Sequence, residues 1–236
     1  MPDVSTVKKY GNKYKLTYHN QKRQKGFEID TNLNRGEINS EKLDCSISRT
    51  KAKIVEYGLC NNWDYFVTLT LSEGKYDRYN LKGYIKDLGK FLNNYNNRQL
   101  HDLPNIRYLF IPEQHKDGAW HIHGLISNLP ESHLCLNSNG YMDWKPYSDK
   151  FGYMSLSKIK SNEGVSRYIT KYIRKDLSVR DKELNAKLYY CSKGLKTAEL
   201  LKEGYCSIQD FIFDYQNEHV KIKWFDDMET ALNLIK

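Results

Sequence analysis

Two strand-like runs joined by a short turn place the strongest constraint on how this chain can fold. The runs are NIRYLFIPE (105–113) and AWHIHGLI (119–126), and QHKDG connects them. The Asp-Gly pair in this connection is a strong signal for a tight hairpin turn. The pattern therefore predicts an antiparallel hairpin, so the sheet that contains it must be at least partly antiparallel.

The segments around this hairpin predict an α+β fold. YFVTLTL (65–71) is β-branched and aromatic enough for a buried central strand. Apolar residues at i, i+3, i+4 and i+7 steps predict three helices, over 41–60, 81–98 and 164–177. Ser40 could cap the N-terminus of the helix over 41–60. A Gly, Asn and Ser-rich connection is expected at 127–152. We expect a central, mostly antiparallel sheet with helices packed on it.

The ends of the chain are expected to extend this core. Two short β-like runs, at 13–20 and 25–32, predict a hairpin-like appendage. We expect residues 1–60 to form an N-terminal extension with this hairpin and a helix, residues 61–200 to form the core, and residues 201–236 to form a C-terminal extension packed on it.

Composition excludes some classes and favours a polyanionic partner. The formal net charge is +8, and residues 144–206 hold 14 Lys and Arg against 7 Asp and Glu. No stretch approaches the roughly 18 consecutive apolar residues of a membrane span, and we expect no signal peptide and a cytoplasmic location. The five scattered cysteines form no CxxC pair. A phosphate-binding loop of the GxxxxGK[ST] type is missing, which argues against an ATP-driven helicase.

His121 and His123 are the first candidate for a functional site. Side chains two positions apart on a strand project from the same face, so both imidazoles could reach one ion. If the hairpin pairs in an even register around Asp117, Glu113 lies opposite His121 and adds an oxygen ligand. Two histidines and one carboxylate would leave open coordination positions, as a catalytic ion requires. The alternative is two hydrogen-bonded strand histidines, with Glu113 paired to a nearby cation and His115 solvated.

A second candidate lies in RYITKYIRK (167–175), where Tyr-x-x-Lys occurs twice. Tyr168 and Tyr172 are one turn apart on the predicted helix, and Lys171 and Lys175 follow them at a spacing that could stabilise a phenolate or bind a phosphate. A phenol with a usual pKa of roughly 10 is a poor nucleophile unless its target is activated. The alternative is an ordinary packing stripe with neighbouring Val and Ile residues.

Taken in order, FVTLT, PEQHKDGAWHIHGLI and YITKYIRK resemble the three motifs of the HUH endonucleases. Within that superfamily the chain is similar to the rolling-circle replication initiators of small bacteriophages and plasmids. The resemblance covers roughly residues 40–200, and the later LYYCSKGL is similar to a segment of phage-type members. It implies an HUH endonuclease core with an RRM-like, ferredoxin-like arrangement at 61–200.

The resemblance also implies a chemistry. Glu113, His121 and His123 would bind a divalent ion, Mg²⁺ or Mn²⁺, and a tyrosine would attack single-stranded origin DNA. The enzyme would stay joined to the 5′ phosphate and leave a free 3′ hydroxyl as primer, and the retained bond energy would permit rejoining without ATP. The repeated Tyr-x-x-Lys spacing is similar to that of initiators in which two tyrosines alternate between nicking and rejoining. Where other members use one nucleophile, it stands at the position of Tyr172.

The resemblance implies two kinds of partner, namely single-stranded DNA at an origin hairpin and the helicase and polymerase of a bacterial host. The protein would act in the cytoplasm of that host, and no membrane partner is implied. Thr68 and Thr70 match the first motif and would support the metal strand. Two alternatives stay open: a transposase or mobilisation relaxase with the same chemistry, and a non-catalytic module that binds single-stranded DNA through its basic, Tyr-rich half. The sequence indicates neither the origin nor the oligomeric state.

Overall fold

The computed structural model describes residues 4–19, 40–99, 103–173, 187–206, 212–217 and 220–236. By its contacts the chain divides into two compact units, Asn39–Leu195 and Met1–Ile38 with Lys196–Lys236. The strands are β1 (Val4–Tyr10), β2 (Lys13–His19), β3 (Tyr65–Leu71), β4 (Arg107–Gln114), β5 (Trp120–Ser127), β6 (Leu134–Leu136), β7 (Met142–Trp144), β8 (Gly152–Lys158), β9 (Tyr190–Cys191), β10 (Glu199–Tyr205), β11 (Tyr215–Gln216) and β12 (Val220–Phe225). The α-helices are α1 (Ser40–Cys60), α2 (Leu81–Gln99), α3 (Lys145–Lys150), α4 (Asn162–Tyr168) and α5 (Met228–Asn233).

The predicted fold class is confirmed. Helices pack on two sheets, and all the strand pairs that the structure describes are antiparallel. The predicted central strand is β3, the helix predicted at 81–98 is α2, and the helix predicted at 41–60 is α1. No helix of the described ranges is long and apolar enough to cross a membrane.

The larger unit is built on a sheet with the strand order β6-β7-β8-β3-β5-β4-β9. Alternate side chains of its strands point to opposite faces, and each face has its own apolar cluster. One cluster joins the sheet to α2; its buried members include Val67, Leu69, Tyr84, Leu88, Leu92, Phe110, Ile122 and Ile126. The other joins the sheet to α1 and to the segment that starts with α4; it comprises Ile47, Ile54, Trp63, Leu109, Ile111, Leu125, Ile169 and Ile173.

The hairpin at the centre of the larger unit has the predicted register. β4 and β5 are antiparallel, and Glu113 lies opposite His121 while Ile111 lies opposite His123. β3 is the other neighbour of β5, with Thr70 opposite His121 and Thr68 opposite His123. The two histidines therefore point to the face that is covered by α1 and α4, away from α2.

The region from 127 to 158 differs from the expected connection. It contains β6, β7, α3 and β8, and β8 pairs with the full length of β3. The helix predicted at 164–177 begins two residues earlier, because the side chain of Ser161 accepts a hydrogen bond from the backbone N–H of Gly164 and caps α4. The chain then tightens into a 3₁₀ turn at Ile169–Tyr172, and residues beyond 173 in this prediction lie outside the described residues.

The smaller unit is a five-stranded sheet with the order β10-β1-β2-β12-β11. Helix α5 packs on it through Ala231, against the buried Val7 and Leu16. The strand expected at 13–20 is β2, and its hairpin partner is β1, which the sequence analysis did not identify. The run at 25–32 lies outside the described residues. The first two strands and the last strands of the chain thus share one sheet.

Candidate active site

The three candidate metal ligands lie next to one another on one face of the larger sheet. Glu113 is opposite His121 across β4 and β5, and His123 follows two positions along β5 on the same face. Glu113 and His123 are both buried, and His121 is half-buried. The strand pairing explains this placement, since directly opposed residues of antiparallel strands point to the same side.

Two threonines of β3 lie within hydrogen-bonding distance of the Nδ1 atoms of the two histidines. The hydroxyl of Thr68 lies 3.1 Å from Nδ1 of His123, and the hydroxyl of Thr70 lies 3.1 Å from Nδ1 of His121. A hydrogen bond on Nδ1 orients the ring and leaves Nε2 as the nitrogen that can bind a ligand. Thr68 and Thr70 therefore have the geometry of supporting residues behind a pair of Nε2 ligands.

Glu113 and His123 contact each other directly. Nε2 of His123 lies 2.9 Å from Oε2 of Glu113. Burial lowers the pKa of His123 below its usual value, although the Glu113 carboxylate opposes this shift. The imidazole is therefore neutral at neutral pH, and the contact is a hydrogen bond donated by Nε2–H, with the Thr68 hydroxyl donating to Nδ1. A hydroxyl can also accept a hydrogen bond, so Thr68 can accept one from Nδ1–H of the other tautomer. In that tautomer Nε2 carries no proton and can bind a metal ion.

His121 is kept neutral more strongly. Burial, followed by the nearby His115, His123 and Arg78, lowers the pKa of His121 to about 4. The exposed His115, which is solvated in the alternative reading of the motif, stacks on His121 with ring centroids 3.7 Å apart. A histidine must be neutral to bind a metal ion, so the low pKa favours that role at physiological pH.

The donor set fits a divalent ion, although the side chains are not arranged around one. Two Nε2 atoms and a carboxylate on one face suit Mn²⁺ and similar ions, and both rings are oriented through Nδ1. In the part of the chain that the structure describes, no three His, Cys, Asp or Glu residues converge on a common ion position. His123 and Glu113 are hydrogen-bonded to each other.

One tyrosine of the third motif lies against His123, and the second tyrosine contacts the first. The ring of Tyr172 stacks on His123 with centroids 3.8 Å apart and an interplanar angle of 13°. The Tyr172 hydroxyl donates to the Tyr168 hydroxyl at 3.3 Å. Ile169 and Ile173 are buried in the core, whereas Tyr168 is 47% exposed. The two isoleucines form the packing stripe together with the partly buried Tyr172, and Tyr168 is not part of it.

The two phenols have different electrostatic surroundings. The ammonium group of Lys171 lies 3.6 Å from the centre of the Tyr168 ring, and hydrogen bonding to Lys171 and then to Tyr172 lowers the pKa of Tyr168. Burial, and then the neighbouring Tyr168, raise the pKa of Tyr172. Tyr168 is thus the more readily ionised of the pair. Lys175, the lysine predicted beside Tyr172, lies outside the described residues.

Sequence reasoning missed one residue of this site, and the structure gives another a different role. Phe66 contacts both tyrosine rings, with centroids 5.6 Å from Tyr168 and 6.1 Å from Tyr172. Its position on the same face of β3 as Thr68 could have identified it. From the sequence, Gly124 next to His123 could mark a position where bulk is excluded near DNA, but the structure gives another reason for a glycine here. It faces the α2 side, where a Cβ would clash with Phe110 and with the Leu109 carbonyl oxygen.

Residues 64–177 match the family model described as replication-associated protein ORF2/G2P, a family of rolling-circle replication initiators. The match covers just under half of the chain and spans β3, α2, the β4–β5 hairpin and the segment that carries both tyrosines. Comparison with curated proteins and with solved structures gave no significant match. Over the matched region the chain is similar to proteins that act in DNA replication.

Proposed function

We propose that this protein is an HUH-type replication initiator that nicks and rejoins single-stranded DNA at an origin through a covalent 5′-phosphotyrosine. The contact between Tyr172 and His123 carries this proposal, because one phenol ring packs against a candidate metal ligand and its hydroxyl is bonded to a second phenol. The match to replication-associated proteins over residues 64–177 supports it independently.

In the proposed nicking step, a tyrosine oxygen forms a bond to the scissile phosphorus and the bond from phosphorus to the 3′ oxygen breaks. The phenolic proton is lost, and the 3′ oxygen leaves as a hydroxyl that can prime synthesis. Lys171 favours this attack by Tyr168, since it stabilises the phenolate. The reverse step needs only a 3′ hydroxyl that attacks the phosphotyrosine, so no ATP is consumed.

Glu113, His121 and His123 are proposed to hold a divalent ion, Mg²⁺ or Mn²⁺. When bound, such an ion would polarise the phosphoryl oxygen and fix the phosphate for in-line attack. Thr68 and Thr70 keep the Nε2 atoms of the two histidines directed to the site. Neutral imidazoles make the site ready for an ion at physiological pH.

The arrangement favours two cooperating tyrosines. Tyr168 has the lowered pKa and the greater exposure, whereas Tyr172 has the contact with His123. Their hydroxyls are 3.3 Å apart, so one phosphate position is within reach of both. We propose that they alternate, one joined to DNA while the other attacks the next strand. A host helicase and polymerase are the proposed partners in the cytoplasm of a bacterial cell.

The test uses the single strand of the inverted-repeat origin beside the coding sequence, labelled at its 3′ end. With Mn²⁺ the protein should yield a labelled adduct that resists SDS, and chelation of the ion should prevent it. Tyr168→Phe with Tyr172→Phe should abolish the adduct, and peptide mapping of each single variant should locate the label on the remaining tyrosine. Tyr215→Phe, which alters an exposed tyrosine of the smaller unit, is the matched control.

Two outcomes would contradict the proposal. An unchanged adduct yield in the double variant would exclude both tyrosines as nucleophiles. Binding of the origin strand without any adduct, in the presence of each candidate ion, would indicate a non-catalytic single-stranded DNA-binding module instead.

A further inference from the structure

A strip of β8 lies beside the candidate active site and carries an exposed aromatic ring. Tyr153 is opposite Thr70 on β3, and Thr70 is opposite His121 on β5. The three side chains therefore share one face and one row of the sheet. Neighbouring strands are about 4.8 Å apart, so the backbone at Tyr153 is roughly 10 Å from that at His121.

The rest of this strip is small and polar. Ser155 is opposite Thr68, and Ser157 is opposite Phe66, so both serines point to the same face as Tyr153. We call Tyr153, Ser155 and Ser157 the β8 shelf. Tyr153 is 68% exposed, and among the described strands of this sheet no other aromatic residue is classed as exposed. The exposed ring of Tyr153 thus lies at one end of the β8 shelf, and the hydroxyl groups of the two serines follow it along the strand.

The other end of the β8 shelf is also marked by a tyrosine. Tyr168 makes an edge contact with Phe66, the cross-strand partner of Ser157. Tyr153 and Ser157 are four residues apart, about 13 Å along a strand. The β8 shelf therefore runs from an exposed ring toward the candidate nucleophile Tyr168.

A positive charge lies at one end of the β8 shelf. The ammonium group of Lys171 lies over the ring of Tyr168, which contacts the cross-strand partner of Ser157. Serine and threonine hydroxyls commonly donate hydrogen bonds to phosphate oxygens, whereas aromatic rings stack on unpaired bases irrespective of sequence. A strip that offers hydroxyls, one exposed ring and a lysine at one end matches one strand of unpaired DNA.

We propose that the β8 shelf binds the single-stranded DNA next to the scissile phosphate, and that Tyr153 stacks on one of its bases. This inference rests on the proposed function, since it takes the position of the phosphate from it. Tyr153 acts here as a positioning residue through its ring, and its hydroxyl is not required. The hydroxyls of Ser155 and Ser157 contact the phosphates between that base and the tyrosine pair.

The test measures affinity for a short dT oligonucleotide by fluorescence anisotropy, in protein carrying Tyr168→Phe and Tyr172→Phe so that no covalent step intervenes. Tyr153→Ala should weaken binding about tenfold, because one stacked base is lost. Tyr153→Phe should retain the affinity, and so should the control Tyr215→Ala, which alters an exposed tyrosine of the smaller unit. A bromodeoxyuridine-containing oligonucleotide should photocrosslink to the peptide that contains Tyr153.

Equal affinities of the Tyr153→Ala protein and its parent, together with crosslinks that map elsewhere, would overturn the inference. Loss of affinity in Tyr153→Phe as well as Tyr153→Ala would also overturn it, since the ring would not suffice. Failure of the proposed function has a different signature. In that case the otherwise unchanged protein forms no adduct with origin DNA, while the effect of Tyr153→Ala on dT binding persists.

Discussion

The ring of Tyr172 lies nearly parallel to the imidazole of His123, with the two centroids 3.8 Å apart. Tyr172 belongs to the 3₁₀ turn that follows α4, and His123 belongs to β5, an interior strand of the larger sheet. The stack therefore links the third sequence motif to the second. It also covers one side of an imidazole that is already buried and neutral.

This stack predicts that the ring and the hydroxyl of Tyr172 have separable roles. Tyr172→Phe should leave the affinity for Mn²⁺ nearly unchanged, because the ring still covers His123. Tyr172→Ala should weaken it several-fold, because His123 then loses the contact that orients it. Titration of Mn²⁺ by electron paramagnetic resonance gives both affinities without any DNA. Equal affinities of the Phe and Ala variants would show that the stack does not support the ion site.

The threonines behind the histidines should tune the same site. Thr70→Val removes the hydroxyl that lies 3.1 Å from Nδ1 of His121 and leaves a side chain of similar size. Loss of such a supporting hydrogen bond typically costs about tenfold or more in metal affinity. We expect the Mn²⁺ concentration for half-maximal nicking to rise by about that factor in Thr70→Val. Thr70→Ser keeps the hydroxyl and should stay close to the unchanged protein; equal losses in both variants would argue against the role.

Lys171 should set the pH dependence of attack by Tyr168. Hydrogen bonding to Lys171 lowers the pKa of Tyr168, so a larger fraction of this phenol is ionised at a given pH. In a Tyr172→Phe background, Lys171→Met should raise that pKa, slow adduct formation near neutral pH and move the rising limb of the pH–rate profile to higher pH. Single-turnover rates across the alkaline range measure this.

Lys171→Arg is the control for this shift, because it keeps the positive charge and should preserve most of the profile. A uniform loss of rate in Lys171→Met, with the rising limb at its original pH, would assign Lys171 to phosphate binding and not to the ionisation of Tyr168.

The register of the hairpin could be predicted from sequence because local rules determine it. The Asp-Gly pair fixes the turn, and alternation along the strands then places Glu113 opposite His121. The bond between Glu113 and His123 could not be foreseen, since it depends on side-chain rotamers and on burial. The stack of Tyr172 on His123 joins residues 49 positions apart, and no local pattern specifies such a contact.

Strand β8 was missed for a different reason. Its sequence GYMSLSK alternates apolar and polar residues, and Met154 and Leu156 are buried while Tyr153 and Ser157 are exposed. This alternation is an ordinary strand signal. The Gly, Asn and Ser-rich residues before β8 suggested a long connection. The short alternating pattern of β8 was therefore not interpreted as a strand.

Gly124, the glycine that follows His123, should be required for folding and not for contact with DNA. A methyl group there would lie 2.6 Å from the carbonyl oxygen of Leu109 and would also clash with the ring of Phe110. Backbone cannot yield as a flexible side chain can, so Gly124→Ala should lower the free energy of unfolding by about 1–3 kcal/mol. Denaturant unfolding monitored by tryptophan fluorescence measures this change.

Gly89 provides the matched control because it lies in α2, where an added methyl group would meet no atom within 4 Å. Gly89→Ala should stabilise the protein by about 0.5–1 kcal/mol, since alanine loses less conformational entropy in a helix. The affinity of the folded Gly124→Ala protein for DNA should stay unchanged at low temperature. A selective loss of DNA binding with normal stability would instead place Gly124 at the DNA, against the side of the sheet on which the structure places it.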